Sequence, residues 1–137
     1  MDGTDEWGTM NDQASVRYLV DKVDAAAEFY IEHLDFEIVF DASPDFVMLS
    51  RGPLRLMLNV VGGSGGASQP MPDGRVPEPG GWARFQLTVD DIESLVERLR
   101  SSGATFRNDI VNGIGGKQVL VEDPSGNAVE LFQPLNR

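Results

Sequence analysis

Apolar and polar positions along this chain fall into a pattern that runs through twice. Ser15 to Val20 (SVRYLV) predicts a strand, and Asp24 to Leu34 predicts a helix with Ala26, Phe29, Tyr30 and Leu34 on one face. Phe36 to Phe40, Phe46 to Ser50 and Leu54 to Val60 predict three further strands, separated by the turn signals Ser43-Pro44-Asp45 and Arg51-Gly52-Pro53. From Gly62 to Gly81 the sequence is GGSGGASQPMPDGRVPEPGG, where apolar periodicity vanishes and glycine and proline dominate. A stretch of that composition predicts a linker or a binding-site lid without regular structure. The pattern then resumes, with a strand over Arg84 to Val89 and a helix over Ile92 to Arg100 whose inner face is Ile92, Leu95, Val96 and Leu99. Gly103 is placed to end that helix in the left-handed conformation. Lys117 to Glu122 and Ala128 to Gln133 predict strands around the turn Asp123-Pro124-Ser125-Gly126-Asn127.

A shift of 69 positions lays Val20 on Val89, Val23 on Ile92, Asp24 on Glu93, Ala26 on Leu95 and Tyr30 on Leu99. Each half is therefore one βαβββ module. Neither module can cover its own sheet, so the expected α+β architecture is a curved mixed sheet around a concave pocket, with a helix outside each half. Residues 13–134 are expected to form one domain, with module one at 13–61, the Gly/Pro-rich linker at 62–81 and module two at 82–134. Residues 1–12, polar and acidic apart from Met1, Trp7, Met10 and two glycines, are expected to be a flexible tail.

Composition removes several classes of function. The 137 residues carry 11 basic and 22 acidic side chains, a net charge of -11, which is the wrong sign for a phosphate-binding face and excludes nucleic acid as a partner. There is no cysteine, so thiolate metal sites and cysteine nucleophiles are absent. No apolar run reaches the ~18 residues of a membrane helix, and the N-terminal stretch has neither the basic nor the apolar region of a signal peptide. A cytoplasmic protein without a membrane partner is the expectation.

Three ordered motifs carry a family resemblance: Val20-x-x-Val23-Asp24-Ala25-Ala26-x-x-Phe29-Tyr30-x-x-x-Leu34-x-Phe36, then Val89-x-Asp91-Ile92, then Asp123-Pro124-x-Gly126-Asn127-x-x-Glu130-Leu131-Phe132. With the internal repeat they resemble the vicinal oxygen chelate superfamily, which includes glyoxalases, bleomycin-resistance proteins, fosfomycin-resistance enzymes and extradiol dioxygenases. The resemblance spans roughly residues 14 to 134 and implies the glyoxalase-like fold. In metal-dependent members the ligands sit on the first and last strands of each half. Those positions correspond here to Ser15, Met57, Arg84 and Glu130, of which only Glu130 is an ordinary metal ligand. A two-histidine iron site is also out of reach, since the only histidine is His33, placed near a helix C-terminus where a surface role is the plain explanation. No metal and no other cofactor is expected.

Strand alternation puts Arg84, Gln86 and Thr88 on one face and Phe85, Leu87 and Val89 on the other. The apolar face belongs against a helix, so Arg84 and Gln86 are expected on the concave side, with Arg84 converging on Glu130. That convergence is equally consistent with a pair that orients a ligand and with an ion pair that only holds structure. From module one, Ser15, Arg17, Met57 and Asn59 are expected to face the pocket. Phe46, Met48, Trp82 and Phe132 are candidates for its apolar lining, although core packing explains each as well. The Gly113-Ile114-Gly115-Gly116 cluster lacks the strand-to-helix setting of a phosphate loop and is expected to be a turn. Asp35 stands where the family usually has glycine.

These features point to a metal-independent protein that binds a small organic molecule, as bleomycin-resistance-type binders do. One alternative is a metal-independent isomerase, lyase or cyclase with catalytic residues Glu130 as acid or base and Arg84 as anion stabiliser. A metal-dependent glyoxalase or dioxygenase is disfavoured by the ligand positions. The resemblance also implies a homodimer.

Overall fold

Helix formation and sheet pairing are arranged in the same way in both halves of a computed structural model that describes residues 13–135. The expected tail, residues 1–12 with Trp7, lies outside the described residues. Strand β1 (Ala14–Val20) leads into helix α1 (Val23–Leu34). The helix buries Val23, Ala26, Ala27, Phe29, Tyr30 and Leu34, which recur at the spacing of one helical face. It stops at Asp35, whose φ of 60° and ψ of 33° are left-handed. Asp35 therefore takes the conformation that glycine would adopt without a Cβ penalty. Phe36 is then drawn back onto the helix: its N–H donates to the Tyr30 carbonyl at 3.3 Å and its ring meets Tyr30 edge-on at 5.4 Å.

Strands β2 (Glu37–Ala42), β3 (Phe46–Arg51) and β4 (Leu54–Val60) complete the first module. The sheet order is β1-β4-β3-β2, with β1 parallel to β4 and the other pairs antiparallel. Val47, Leu49, Leu56 and Leu58 point to the helix side and are almost fully buried. Each such side chain contributes roughly 1.5–3 kcal/mol by burial, and this layer packs with Val23, Tyr30 and Leu34 of the helix as the module's core.

The second module repeats the plan with β5 (Phe85–Thr88), helix α2 (Ile92–Ser101), β6 (Val111–Asn112), β7 (Gly116–Glu122) and β8 (Ala128–Pro134), in the order β5-β8-β7-β6. Asp91 caps α2 by accepting from the Ser94 N–H at 3.2 Å, and Gln133 Oε1 accepts the Ile92 N–H at 2.8 Å. Gly103 lies just beyond the helix at φ 94°. Hydrogen bonding keeps the strands in two four-stranded mixed sheets, one per module.

The Gly/Pro-rich segment carries almost no regular structure, yet side-chain and backbone hydrogen bonds order it against module one. The chain divides into two compact units after Glu78, so most of this segment belongs with module one. It holds a single 3-10 turn at Gly66–Ser68. Ser68 is buried and its hydroxyl donates to the Val60 carbonyl at 2.6 Å, while Ser64 donates to Asp45 Oδ2 at 2.7 Å. Gln69 Nε2 donates to the carbonyls of Gly63 and Gly65, and a hydrogen-bonded turn joins Met71 to Arg75. Composition hid this order because the anchoring groups are small polar side chains and backbone atoms, which leave no periodic signal. Among the described residues no helix is long and apolar enough to cross a membrane.

Candidate functional site

Each sheet has one face turned to its helix and one face turned away, and the chemistry lies on the second. In module one, cross-strand register aligns Arg17, Met57, Met48 and Phe40 in one row, and Leu19, Asn59 and Phe46 in the next. Arg17 donates to Asn59 Oδ1 at 3.1 Å and approaches Met57 Sδ at 3.6 Å. Arg17, Met57 and Asn59 therefore form one cluster. Asn59 is only 3% exposed, covered by the segment that follows β4 and contacts it near Gly65. Phe46 lies beside Phe40, ring centroids 6.2 Å apart. Ser15 is exposed and pairs in register with Arg55, whose guanidinium bonds Gln13.

In module two the centre is Glu130. Arg84 Nε donates to its Oε1 at 3.1 Å and Gln86 Nε2 donates to its Oε2 at 2.7 Å. The Arg84 and Glu130 side chains are 33% and 12% exposed, so the pair is neither fully hydrated nor fully buried. Arg84 precedes β5, which begins at Phe85, and its terminal nitrogen donates to the Trp82 carbonyl at 3.2 Å. Phe132 is half-buried and aligned in register with Thr88 and Gln118. Trp82 does not join a core: it is 68% exposed.

One well-ordered neighbourhood escaped the sequence. Arg107 donates to Glu122 Oε2 at 2.9 Å, to the Gly81 carbonyl at 2.7 Å and to the Gly126 carbonyl at 2.9 Å, and its guanidinium lies 4.7 Å from the Trp82 ring centroid. It sits in an irregular stretch and bonds two backbone carbonyls, so neither periodicity nor a motif marks it. The turn Asp123–Asn127 shares this neighbourhood. Buried Asp123 accepts from the Ser125 and Asn127 N–H groups, and Asn127 Oδ1 accepts from Gly80 N–H at 2.8 Å.

The four positions that correspond to the ligand positions of metal-dependent relatives do not suit a metal. Serine hydroxyl, thioether and guanidinium are poor or repulsive partners for a divalent cation, and the one carboxylate already engages Arg84 and Gln86. Among the described residues no three His, Asp or Glu side chains gather in a group that could hold a metal ion. His33 sits in the last turn of α1 against Phe29, ring centroids 5.9 Å apart. Two concavities in the first unit lie away from the anticipated residues. One of about 340 Å³ runs between α1 and β2, with Ile31 and Ile38 flanked by Asp24, Glu28 and Asp41, and one of about 760 Å³ adjoins Met71, Val76 and Pro77.

Residues 13–131 match the family described as the Glyoxalase/Bleomycin resistance protein/Dioxygenase superfamily, and the chain belongs to it. No curated protein matches the chain in sequence. A solved member of the same superfamily from Sphaerobacter thermophilus superposes with a TM-score of 0.70 at 27% identity, over 88% of this chain and 95% of its own. TnmS3, an antibiotic binding protein from a Streptomyces species, gives 0.67 at 21% identity over 92% and 98%. A lactoylglutathione lyase from Agrobacterium tumefaciens gives 0.66 at 22% over 87% and 90%. At identities this low, the last two likenesses bear on fold alone.

Proposed function

We propose that this protein binds a small organic molecule without the help of a metal ion. The observation that carries the proposal is the occupation of Glu130. It is the only carboxylate among the four positions where metal-dependent relatives place ligands, and its oxygens accept from Arg84 and Gln86. The guanidinium holds a permanent positive charge where a metal would need to approach. The same bonds use one lone pair on each Glu130 oxygen and give the carboxylate a structural set of donors of its own, which favours a binder over an acid–base enzyme. An antibiotic binding protein on this fold adds a precedent of class, not of ligand.

Two measurements test the proposal. Elemental analysis of protein purified without chelators should find no stoichiometric metal, and one metal per chain that disappears with Glu130→Ala would overturn it. A thermal-shift screen against antibiotics and metabolites should then raise the unfolding temperature with one chemical class, by the linkage between binding and stability. Homodimer formation belongs to the same proposal. Ile38, Val39 and Phe40 on edge strand β2 are each more than half exposed, the kind of apolar sheet edge that a second chain covers. Sedimentation that finds only the 15.0 kDa monomer at micromolar concentration would remove that part.

A further inference from the structure

Trp82 is a large apolar ring that the fold holds in water rather than hides. Its 68% exposure would be unremarked if the side chain were free to move, but it is fixed from several directions. One face of the indole lies on Arg107, 4.7 Å from guanidinium carbon to ring centroid. Arg107 cannot swing away without breaking its bonds to Glu122, the Gly81 carbonyl and the Gly126 carbonyl, and its side chain is only 14% exposed. The backbone beside the ring is held as well, by Arg84 on the Trp82 carbonyl and by Asn127 on the Gly80 N–H. Gly80 and Gly81, at φ 108° and 85°, take conformations that a side chain would strain, and so set the direction from which the chain reaches Trp82.

An aromatic ring immobilised before binding loses little freedom when a ligand arrives, so contact area on its open face converts efficiently into affinity. We infer that the open face of Trp82 is a stacking platform for a planar aromatic ligand that is neutral or anionic. This rests on the small-molecule proposal above and narrows its chemistry. Planarity follows from the flat, unobstructed ring. The charge preference follows from the guanidinium on the opposite face, which already satisfies the attraction of the indole π-system for a cation and draws its density away from the open side. Glu122 balances the overall charge of Arg107 from its Nε edge but leaves the guanidinium plane against the ring. Arg84, bonded to the Trp82 carbonyl, has one terminal nitrogen without a hydrogen-bond partner among the described residues, a donor suited to a carbonyl or carboxylate oxygen on the same ligand.

The test uses the full chain and two planar probes of similar size, anionic anthraquinone-2-sulfonate and cationic 9-aminoacridine, followed by calorimetry. The sulfonate should bind the native protein more tightly than the acridine, against the pull of the net charge of -11. Trp82→Ala should weaken the sulfonate on the order of tenfold, as loss of one aromatic stack does, while Trp82→Phe keeps most of the affinity. Because Trp82 is largely exposed and loses only its contact with Arg107, Trp82→Ala should unfold within a few degrees of the native temperature, which separates lost binding from lost folding. Tighter binding of the acridine, or a sulfonate affinity unchanged by Trp82→Ala, would overturn the platform. If a non-planar compound from the thermal-shift screen binds equally to native protein and Trp82→Ala while the sulfonate does not bind, the platform falls and the small-molecule proposal stands.

Discussion

Arg84 and Glu130 lend themselves to a double-mutant cycle whose outcome follows from their unequal exposure. Breaking a buried ion pair costs about 3–5 kcal/mol because one charge is stranded, whereas an exposed pair is worth about 0–1 kcal/mol. Here Glu130 is 12% exposed and Arg84 33%. Removing Arg84 strands the more buried partner with only Gln86 beside it; removing the Glu130 charge leaves a guanidinium that water already reaches. Arg84→Met should therefore destabilise by about 2 kcal/mol and Glu130→Gln by about 1 kcal/mol, with a coupling of about 1 kcal/mol, once solvent screening is allowed for. In a chain of this length that places Arg84→Met roughly 4–8 °C below native in unfolding temperature. Urea unfolding of native, single and double variants at neutral pH, at low and high salt, measures all three energies. Coupling should survive high salt, because burial limits screening. A coupling below about 0.3 kcal/mol, or a larger loss from Glu130→Gln than from Arg84→Met, would show that the bond seen between these groups does not hold the module together.

Other outcomes follow from single features. Glu93 accepts from Lys117 Nζ at 2.5 Å, and that hydrogen bond holds its carboxyl below the ordinary 4.5. A lowered folded value contributes stability present above about pH 4.5 and lost as pH falls below it, so Lys117→Met should flatten that part of the stability profile; an unchanged acid limb would refute the link. Asp35→Gly should stabilise the protein by about 0.5–1 kcal/mol by relieving the left-handed strain at φ 60°, and a lower unfolding temperature for that variant would contradict the strain. Trypsin should cut first after Arg75, whose side chain is 82% exposed on the turn that starts at Met71, and earlier cleavage after Arg107 would contradict the bonds that hold that residue.

Elements with strong periodicity were legible from sequence to within a residue or so. Both helices announced themselves through apolar spacing, the 69-residue repeat placed the strand after Arg84, and the family resemblance, not the repeat, picked out Glu130. Strand β2 was read too early because Phe36 is apolar and next to Glu37. Its burial comes from the Tyr30 contact at the end of α1, and Ile38, Val39 and Phe40 are all exposed, so no alternation existed to set the register. Strand β6 has two residues and pairs only Val111 with Gln118 and Asn112 with Lys117, too short for any pattern. Trp82 was expected to line a pocket wall or fill a core, since composition alone cannot tell that an arginine 25 positions later holds its ring in water.

The repeat also shows how the two modules diverged while keeping one plan. In strand register Arg17 faces Met57 and Gln86 faces Glu130; the shift of 69 lays Arg17 on Gln86, while Glu130 lies 73 positions after Met57, so the later strands of module two are offset by a few residues. In each module a guanidinium next to the innermost pair on the sheet face away from the helix is satisfied locally. Arg17 uses Asn59 and the Met57 sulfur, whereas Arg84 uses Glu130. A thioether gives a guanidinium little, so in module one the amide of buried Asn59 is the stronger partner. In module two the carboxylate is shared between Arg84 and Gln86, and Arg84 in turn fixes the carbonyl of Trp82. On the proposed reading, an arginine that ties a carboxylate to the backbone of an exposed aromatic residue would serve the shape of the binding surface. A divalent metal would have to approach that carboxylate against the Arg84 charge, which is why the position of Arg84, more than the identity of Glu130, supports the proposed metal-free binding.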